Sequence, residues 1–412
     1  MNNYRKRFLE TVVKEIRSPS IRKMIMTELE HHIDKEKQRF ITSGKSEEAA
    51  EEKAVAQMGN PVTLGKELKK LHRPKVDWWI AVLLMMALCL GFLPLLAMDE
   101  NLGFVPHKII YTIVGLVITG GLILVDYSKI VKFRWASYLG GLFLLVFLIL
   151  FPTAYVNGFP SVELGPLVFN ILDTIPFFFI SWTGFLKDKR MNGLILCIFF
   201  LIPFLLFAFI GNVLAMLFCS FILIGMIVWA EMARLKKIYL LIMGASGLVI
   251  SLAARLKTYV TGEHTQETTF VYSNIQEVLT NAKWLWMGEG NRTAAVPEAH
   301  TDFALVTIIQ QFGWLAGLFT LIVLFGLLAR MLFIFPRVND PLGKVLIGGG
   351  VSLLAFQIFY NLGMVLGFFP LVGVSLPFIS YGSFPIELNA IVLGLVLSVY
   401  RRKSIFNAIN ME

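Results

Sequence analysis

Four polar side chains stand together in the last third of the chain, in the segment 298–302. They are Glu298, His300, Thr301 and Asp302, and a long apolar stretch follows them at once. Ionisable side chains are costly beside an apolar segment unless they have a use there. A carboxylate such as Asp302 has the residue type of a general base. The alternative is structural, because Thr301 or Asp302 also suits the N-cap of a helix that begins here.

A second polar interruption lies closer to the C-terminus. The run "NLGMVLGFFPLVGVSLPFISYGSFP" places several Gly and Pro residues and the triplet Ser380-Tyr381-Gly382 inside apolar sequence. Irregular backbone at membrane depth is tolerated only where protein covers it or where it lines a cavity. The pattern therefore favours a folded pocket near Ser380 and Tyr381, with an ordinary tight loop as the alternative.

The composition indicates the elements that must position these residues. The chain has 412 residues, of which 56% are apolar and 16% charged, with a mean hydropathy of +0.70. A soluble domain carries about 25% charged residues. This composition excludes disorder, a collagen-like fibre and a disulfide-stapled miniprotein. Cys89, Cys197 and Cys219 lie in apolar runs and are predicted to be buried thiols. The chain is predicted to be an all-α polytopic membrane bundle.

Residues 1–75 differ from the rest, because charge density falls sharply after Lys75. The first residues are charged and contain no apolar signal-peptide core. Apolar residues recur at helical spacing in two sets, which are Phe8, Val12 and Ile16, and Ile25, Leu29 and Ile33. Ser46 before two glutamates predicts a helix start, and Gly59-Asn60-Pro61 predicts its end. We expect a cytosolic unit of three or four helices.

The remaining chain predicts about ten membrane spans, since each needs about 20 mostly apolar residues. The predicted spans are 78–98, 107–126, 135–153, 172–186, 191–209, 212–230, 238–255, 303–330, 345–367 and 385–400. Basic residues concentrate in alternate loops, which places both termini in the cytoplasm and 404–412 as a cytosolic tail. The segments 154–171, 256–302 and 368–384 are therefore predicted to lie outside.

The outer segments carry a family resemblance. "PEAHTDF" before a Gly-bounded span, followed by "NLGMVLGFFPLVGVSLPFISYG", resembles the SEDS family of FtsW, RodA and SpoVE, and "NGFPSVELGP" resembles a degraded copy of another loop of that family. The resemblance covers about 76–403. It implies a glycosyltransferase that polymerises lipid II at the outer face of the cell membrane, in cell shape, division or sporulation.

The resemblance also implies roles for residues of this chain. Asp302 corresponds to the essential aspartate of the family and is expected to deprotonate the acceptor sugar's 4-hydroxyl. The substrate-binding residues are expected to be Glu298, His300, Thr301, Arg292, Asp173, Ser380 and Tyr381. No protein metal ligands are predicted, and the cofactor is left open, with a divalent cation as one candidate.

Departures from the family pattern keep alternatives open. Phe159-Pro160-Ser161 replaces a basic motif, Asp173 replaces a glutamate, Pro176 replaces a lysine, and Phe209 occupies an acidic position. These losses weaken the expected hold on a diphosphate. A divergent non-catalytic scaffold that regulates a wall-synthesis complex is the main alternative, and a lipid flippase is a lesser one.

Partners and source are also expectations from resemblance. SEDS proteins act with a class B penicillin-binding protein, so such a transpeptidase, lipid II and membrane lipid are the expected partners, and nucleic acid is not. Residues 4–73 resemble the HAAS or permease-prefix domain, which is fused to membrane proteins of Gram-positive bacteria. That module implies a regulatory or interaction role and a Gram-positive source.

Overall fold

The computed structural model describes residues 3–16, 19–71, 77–96, 103–156, 158–164, 167–188, 190–260, 265–285 and 296–409. The chain divides into two compact units. One comprises Met1–Val76 together with Arg401–Glu412, and the other comprises Asp77–Tyr400. We refer to the second as the membrane unit.

Within residues 3–71, the N-terminal unit contains four helices. They are α1 (Asn3–Lys14), α2 (Pro19–Thr42), α3 (Glu47–Gln57) and α4 (Pro61–Leu71). The helical spacing of the sequence is confirmed, because both predicted apolar sets are buried in one cluster: Phe8, Val12, Ile16, Ile25, Leu29 and Ile33. Ser46 is the N-cap of α3, although its side chain makes no capping hydrogen bond. Ala54 and Val55 of α3 complete this core.

The membrane unit is a helical bundle. Its helices are α5 (Trp78–Leu90), α6 (Leu93–Leu96), α7 (Phe104–Leu124), α8 (Tyr127–Lys132), α9 (Arg134–Leu150), α10 (Ile175–Lys187), α11 (Gly193–Ile210), α12 (Val213–Trp229), α13 (Arg234–Val260), α14 (Thr265–Asn281), α15 (Ala304–Phe312), α16 (Trp314–Ile334), α17 (Pro341–Val365) and α18 (Ser383–Ile409). Within the described ranges, seven helices are long and apolar enough to span a membrane, and α9 and α12 are shorter apolar helices. The predicted helical membrane fold is confirmed, and the count of ten spans stays a prediction.

The predicted eighth span, 303–330, is wrong as a continuous helix. The chain breaks at Gly313, where φ is +84°, so α15 and α16 are separate. The amide nitrogens of Trp314 and Leu315 donate to the carbonyl oxygens of Lys283 and Trp284, at 2.9 and 3.1 Å. These bonds satisfy amide groups that a helix start leaves without an intrahelical partner. A Cβ at Gly313 would lie 2.8 Å from the Trp284 carbonyl oxygen, which explains the glycine.

Two of the predicted outer segments contain regular structure. The segment 154–171 holds a three-stranded antiparallel sheet in the order β1 (Ala154–Val156), β2 (Phe159–Leu164) and β3 (Leu167–Asn170). A short 3₁₀ helix (Ile171–Thr174) leads from β3 into α10. The segment 256–302 contains the end of α13 and the whole of α14. Both segments bring residues to the cavity described next.

Candidate functional site

The membrane unit contains a cavity of about 680 Å³, which is lined mainly by residues of the segments predicted to lie outside. Three parts of the chain line most of it: the turn 297–303, the loop 371–385 and the junction 211–214 between α11 and α12. The sheet adds Val156 and Phe159, and α14 adds Val271. The polar cluster and the Gly- and Pro-rich loop of the sequence therefore meet at one site, as the predicted pocket requires.

Asp302 is held in this cavity from two sides. Its Oδ1 accepts a hydrogen bond from the Ser375 hydroxyl at 3.2 Å, and its backbone carbonyl accepts one from Asn361 Nδ2 at 2.8 Å. The same Asn361 amide donates to the Val374 carbonyl at 2.6 Å, so Asn361 joins the two cavity loops. A Cβ at Gly373, where φ is +75°, would lie 2.9 Å from Asp302 Oδ2. Only glycine gives the carboxylate this room.

The turn before α15 is organised by Glu298, which has a φ of +51°. Its carbonyl oxygen accepts from the amide nitrogens of Thr301 and Phe303, at 3.1 and 3.2 Å. Its carboxylate accepts from the Thr301 hydroxyl at 2.7 Å. The alternative prediction of an N-cap is wrong, because the N-cap of α15 is Phe303 and no side chain caps it. Asp302 is thus left with its carboxylate in the cavity.

His300 lies in an aromatic cluster at the cavity wall. Its ring stacks on Phe104 of α7 with centroids 5.0 Å apart, and Tyr381 lies 5.5 Å away. The Tyr381 amide donates to the His300 carbonyl at 2.8 Å, which joins the loop 371–385 to the turn 297–303. His300 and Tyr381 therefore hold each other in place in the lining of the same cavity.

The electrostatics of the cavity suit proton transfer. Burial raises the pKa of Asp302 to about 6, the Ser375 hydrogen bond opposes the rise, and the nearby Glu298 adds to it. A base works best when its pKa lies near the working pH. Burial lowers the pKa of His300, with Glu298 opposing, so the imidazole is mostly neutral at pH 7.

The structure places the other predicted site residues as follows. Glu298, His300, Thr301 and Tyr381 line the cavity with Asp302. Ser380 is fully buried, and its hydroxyl accepts from the Leu376 amide at 2.8 Å, so it supports the loop from within. The Asp173 carboxylate accepts from the Asn170 amide at 2.7 Å in a capping box, beside the lining residues 170–172. Arg292 lies outside the described residues.

Three supporting residues were missed by sequence reasoning. Ser375 and Asn361 were both inside the quoted loop, but nothing in their spacing connected them with Asp302. Lys108 lies at the start of the predicted span 107–126 and was given no role, yet it is fully buried in α7. A lone charge just inside a predicted span is itself a signal, since such residues are rarely idle.

A family model described as "Cell cycle protein", for FtsW, RodA and SpoVE, matches residues 75–405. The match covers the whole membrane unit and most of the chain. The chain belongs to the FtsW/RodA/SpoVE family. It is a multi-pass membrane protein of that family, and the resemblance inferred from the two outer motifs is confirmed. The family match begins at 75 and leaves the likeness of the N-terminal unit to HAAS domains unsupported.

Family relatives carry glycosyltransferase names. A probable peptidoglycan glycosyltransferase FtsW of Saccharophagus degradans is 29% identical over 348 residues, which are 75% of this chain and 85% of that protein. Peptidoglycan glycosyltransferase MrdB of Escherichia coli is 34% identical over 125 residues, which span 30% of this chain and only 33% of MrdB. A FtsW of Bacillus subtilis matches over a similar length. This mixture of sources does not support the predicted Gram-positive origin.

Solved structures show the same fold. A chain of a peptidoglycan synthase complex superimposes with a TM-score of 0.64 at 20% identity, over 80% of this chain and 98% of that chain. The rod shape determining protein RodA of Thermus thermophilus gives a TM-score of 0.60 at 19% identity, over 80% and 97%. The predicted bundle is thus the FtsW/RodA/SpoVE fold.

Proposed function

We propose that this chain is a peptidoglycan glycosyltransferase that polymerises lipid II at the outer face of the cell membrane. The observation that supports it most directly is Asp302, whose carboxylate lies in the cavity with a pKa of about 6. The names of the relatives agree with this activity.

In the proposed reaction, Asp302 takes the proton of the acceptor sugar's 4-hydroxyl. The resulting oxygen nucleophile bonds to the anomeric carbon of the donor sugar, and the bond from that carbon to the diphosphate breaks. Lipid-linked diphosphate leaves with the electron pair. Ser375 orients the carboxylate, and the turn around Glu298 holds Asp302 at the cavity, so that the base meets the hydroxyl within hydrogen-bond reach.

The cavity has an apolar side that suits the lipid chain. Val213, Leu214 and Phe218 of α12 line this side. Covering a hydrocarbon chain with apolar side chains removes apolar surface from water, which favours binding. We assign the sugar end of the substrate to the turn 297–303 and the lipid end to this side.

The leaving diphosphate needs positive charge. Among the described residues that line the cavity, Glu298 and Asp302 are the charged ones, and lysine and arginine are absent. The described residues also contain no group of three His, Cys, Asp or Glu side chains able to hold a metal ion. A divalent cation at this site would take most of its oxygen ligands from diphosphate and water, as Mg²⁺ commonly does.

The test is polymerisation of purified lipid II by the full chain, with wild type and Asp302→Asn side by side. The variant keeps the shape of the side chain and loses the base, so the rate should fall by about 10² to 10⁴. Asp126→Asn is the matched control, because Asp126 caps α8 far along the chain from the cavity turn and asparagine caps equally well.

A second outcome would favour the scaffold alternative. Phe159, in place of a basic family residue, lines the cavity, and Phe209, in place of an acidic one, is 81% exposed on α11. If folded wild type makes no polymer with a class B penicillin-binding protein present, the chain is a regulator that has lost catalysis. The replaced residues at positions 159 and 209 would then account for that loss. Polymer made equally by Asp302→Asn would instead remove Asp302 as the base.

The finer parts of the proposal concern partners and topology. We expect a class B penicillin-binding protein as partner, both termini in the cytoplasm and a regulatory role for residues 1–75. The likeness to a chain of a peptidoglycan synthase complex supports a partner of this kind. Removing residues 1–75 should change regulation and leave membrane synthesis intact if that unit is an accessory domain.

A further inference from the structure

We infer that Lys108 is a positioning residue for the proposed glycosyltransferase, because its buried ammonium fixes the loop that carries Tyr381. The kinetic part of this inference rests on the proposed function, and the structural part does not.

The contacts of Lys108 are unusual for a lysine. Its side chain is fully buried, and Nζ donates to the backbone carbonyls of Phe378, Ile379 and Ser380, at 3.2, 3.1 and 2.7 Å. An ammonium group has three N–H donors, so these three consecutive carbonyls use all of them. The ammonium thereby supplies hydrogen bonds to a stretch of backbone that has no regular structure.

The loop needs such support because its backbone is strained. Phe378 has a φ of +64° although it is not glycine, and its side chain is buried. This conformation is costly for a bulky residue and persists only where the surroundings enforce it. Gly91, at the end of α5, packs directly against this contact. A Cβ there would lie 2.5 Å from the Phe378 carbonyl oxygen and 3.1 Å from Lys108 Nζ, so a larger residue would displace the loop or the lysine.

The loop held by Lys108, residues 378–380, is connected directly to the turn 297–303 that carries Asp302. Ser380, whose carbonyl makes the shortest bond to Lys108, is followed by Tyr381, whose amide donates to the His300 carbonyl at 2.8 Å. His300 lies two residues before Asp302. Lys108 therefore acts on the base through the loop and the turn, without lining the cavity itself.

The test uses two substitutions of Lys108 that separate its roles. Lys108→Met keeps the length and apolar stem but removes every donor, and Lys108→Gln keeps two N–H donors without charge. We expect Lys108→Met to lower kcat by about tenfold or more with KM little changed, since small misplacements of a catalytic group cost this much. We expect Lys108→Gln to recover part of the loss.

A second readout needs no catalysis. Hydrogen–deuterium exchange of peptides covering 376–384, measured on the full chain in lipid nanodiscs, should accelerate in Lys108→Met and in Gly91→Ala. Peptides from α17 should stay unchanged. Thr119→Val is the matched control, because it removes a buried hydrogen bond from the same helix, from Thr119 Oγ1 to the Ala390 carbonyl, and should leave both readouts at wild-type values.

The outcomes separate the two proposals. Unchanged exchange and unchanged kcat in Lys108→Met would overturn the inference, because a lysine that only fills space is replaced well by methionine. Equal losses in Thr119→Val would also overturn it. Faster exchange in Lys108→Met, with no polymer from wild type, would support the role of Lys108 in holding the loop and defeat the proposed function.

Discussion

The two ends of the membrane unit differ in the partners of their buried charged groups. At the end where α5 and α17 begin, which we term the paired end, buried carboxylates have strong donors of their own. Asp77 is fully buried in its side chain and binds Arg330 at 2.8 Å, and Asp340 accepts from the Tyr127 hydroxyl at 2.7 Å. The other end is the cavity end.

At the cavity end, Lys108 and Asp302 are held by neutral groups in the part of the chain that the structure describes, without the charged partner that Asp77 has at the paired end. Lys108 binds backbone carbonyls, and within the described residues the Asp302 carboxylate has the Ser375 hydroxyl as its hydrogen-bond donor. A full ion pair fixes a protonation state, because each charge stabilises the other. Burial raises the pKa of the Asp302 carboxyl to about 6, and no opposite charge among the described residues offsets this rise, so the group remains able to exchange a proton. The paired end is therefore expected to serve stability, and the cavity end is expected to serve the proposed chemistry.

The largest expected effect on stability is at the paired end. Arg330→Met leaves the buried Asp77 carboxylate without its counter-ion, and breaking such a pair costs about 3–5 kcal/mol. Denaturant unfolding in mixed micelles measures the loss. The double variant Asp77→Asn with Arg330→Met should recover most of it, because asparagine still caps α5 and carries no charge. Equal losses in the single and double variants would contradict this view of the pair.

The cavity end should respond in the opposite direction. The folded pKa of Asp302, about 6, lies above its usual value of 3.8, so the ionised form is disfavoured in the folded state. Above pH 6 the folded chain must carry that carboxylate, and Asp302→Asn should therefore raise stability, by at most about 3 kcal/mol. The gain should shrink as the pH falls through 6 toward 4, where the folded wild type is protonated.

Thermal unfolding of wild type and Asp302→Asn at pH 8 and pH 5 checks this prediction. Asp126→Asn, measured at the same two pH values, is the control, because Asp126 caps α8 and does not line the cavity. A loss of stability in Asp302→Asn at pH 8 would mean that the carboxylate is paired in the folded state, and the contrast between the two ends would fail.

The sequence predicted best what depends on local spacing. Phe8, Val12 and Ile16 repeat at intervals that one helix face imposes, so their burial followed without knowledge of the fold. Asp302 was predicted from its residue type and motif. The break at Gly313 was missed, because it depends on the carbonyls of residues 283 and 284 reaching the start of α16.

Long-range contacts were beyond sequence reasoning. Ser375 lies 73 residues from Asp302, and the Phe378 carbonyl lies 270 residues from Lys108. Periodicity reports which face of an element is apolar, but it does not report which distant segment packs there. The residues that support Asp302 could therefore not be read from the chain, although Asp302 itself could be singled out as a candidate base.

A smaller effect is expected from the Ser375 hydroxyl beside Asp302. The Ser375 hydrogen bond lowers the pKa of Asp302 and opposes the rise caused by burial. Ser375→Ala should raise that pKa further, so the acidic limb of the kcat profile should move to higher pH and activity at pH 6 should fall several-fold. At pH 8 the variant should approach wild type. A uniform loss at every pH would assign Ser375 to substrate contact.

The smallest expected effect on the free energy of unfolding comes from removing single buried tyrosine hydroxyls, for which the chain offers a matched pair. Tyr127 donates to the Asp340 carboxylate, whereas the Tyr138 hydroxyl has no hydrogen-bond partner among the described residues. Tyr127→Phe should cost about 1.5–2 kcal/mol, since hydrogen bonds to charged groups are the stronger ones. Tyr138→Phe should be neutral or slightly stabilising, because it removes a buried polar atom that gains nothing. Denaturant unfolding gives the free energy of unfolding of both variants. The difference between the two values is the contribution of the hydrogen bond to Asp340, because both variants lose a buried hydroxyl. Similar losses in the two variants would mean that the Asp340 carboxylate does not need the hydrogen bond from Tyr127. The stability of the paired end would then depend on the Asp77–Arg330 ion pair and not on its hydrogen-bond donors in general.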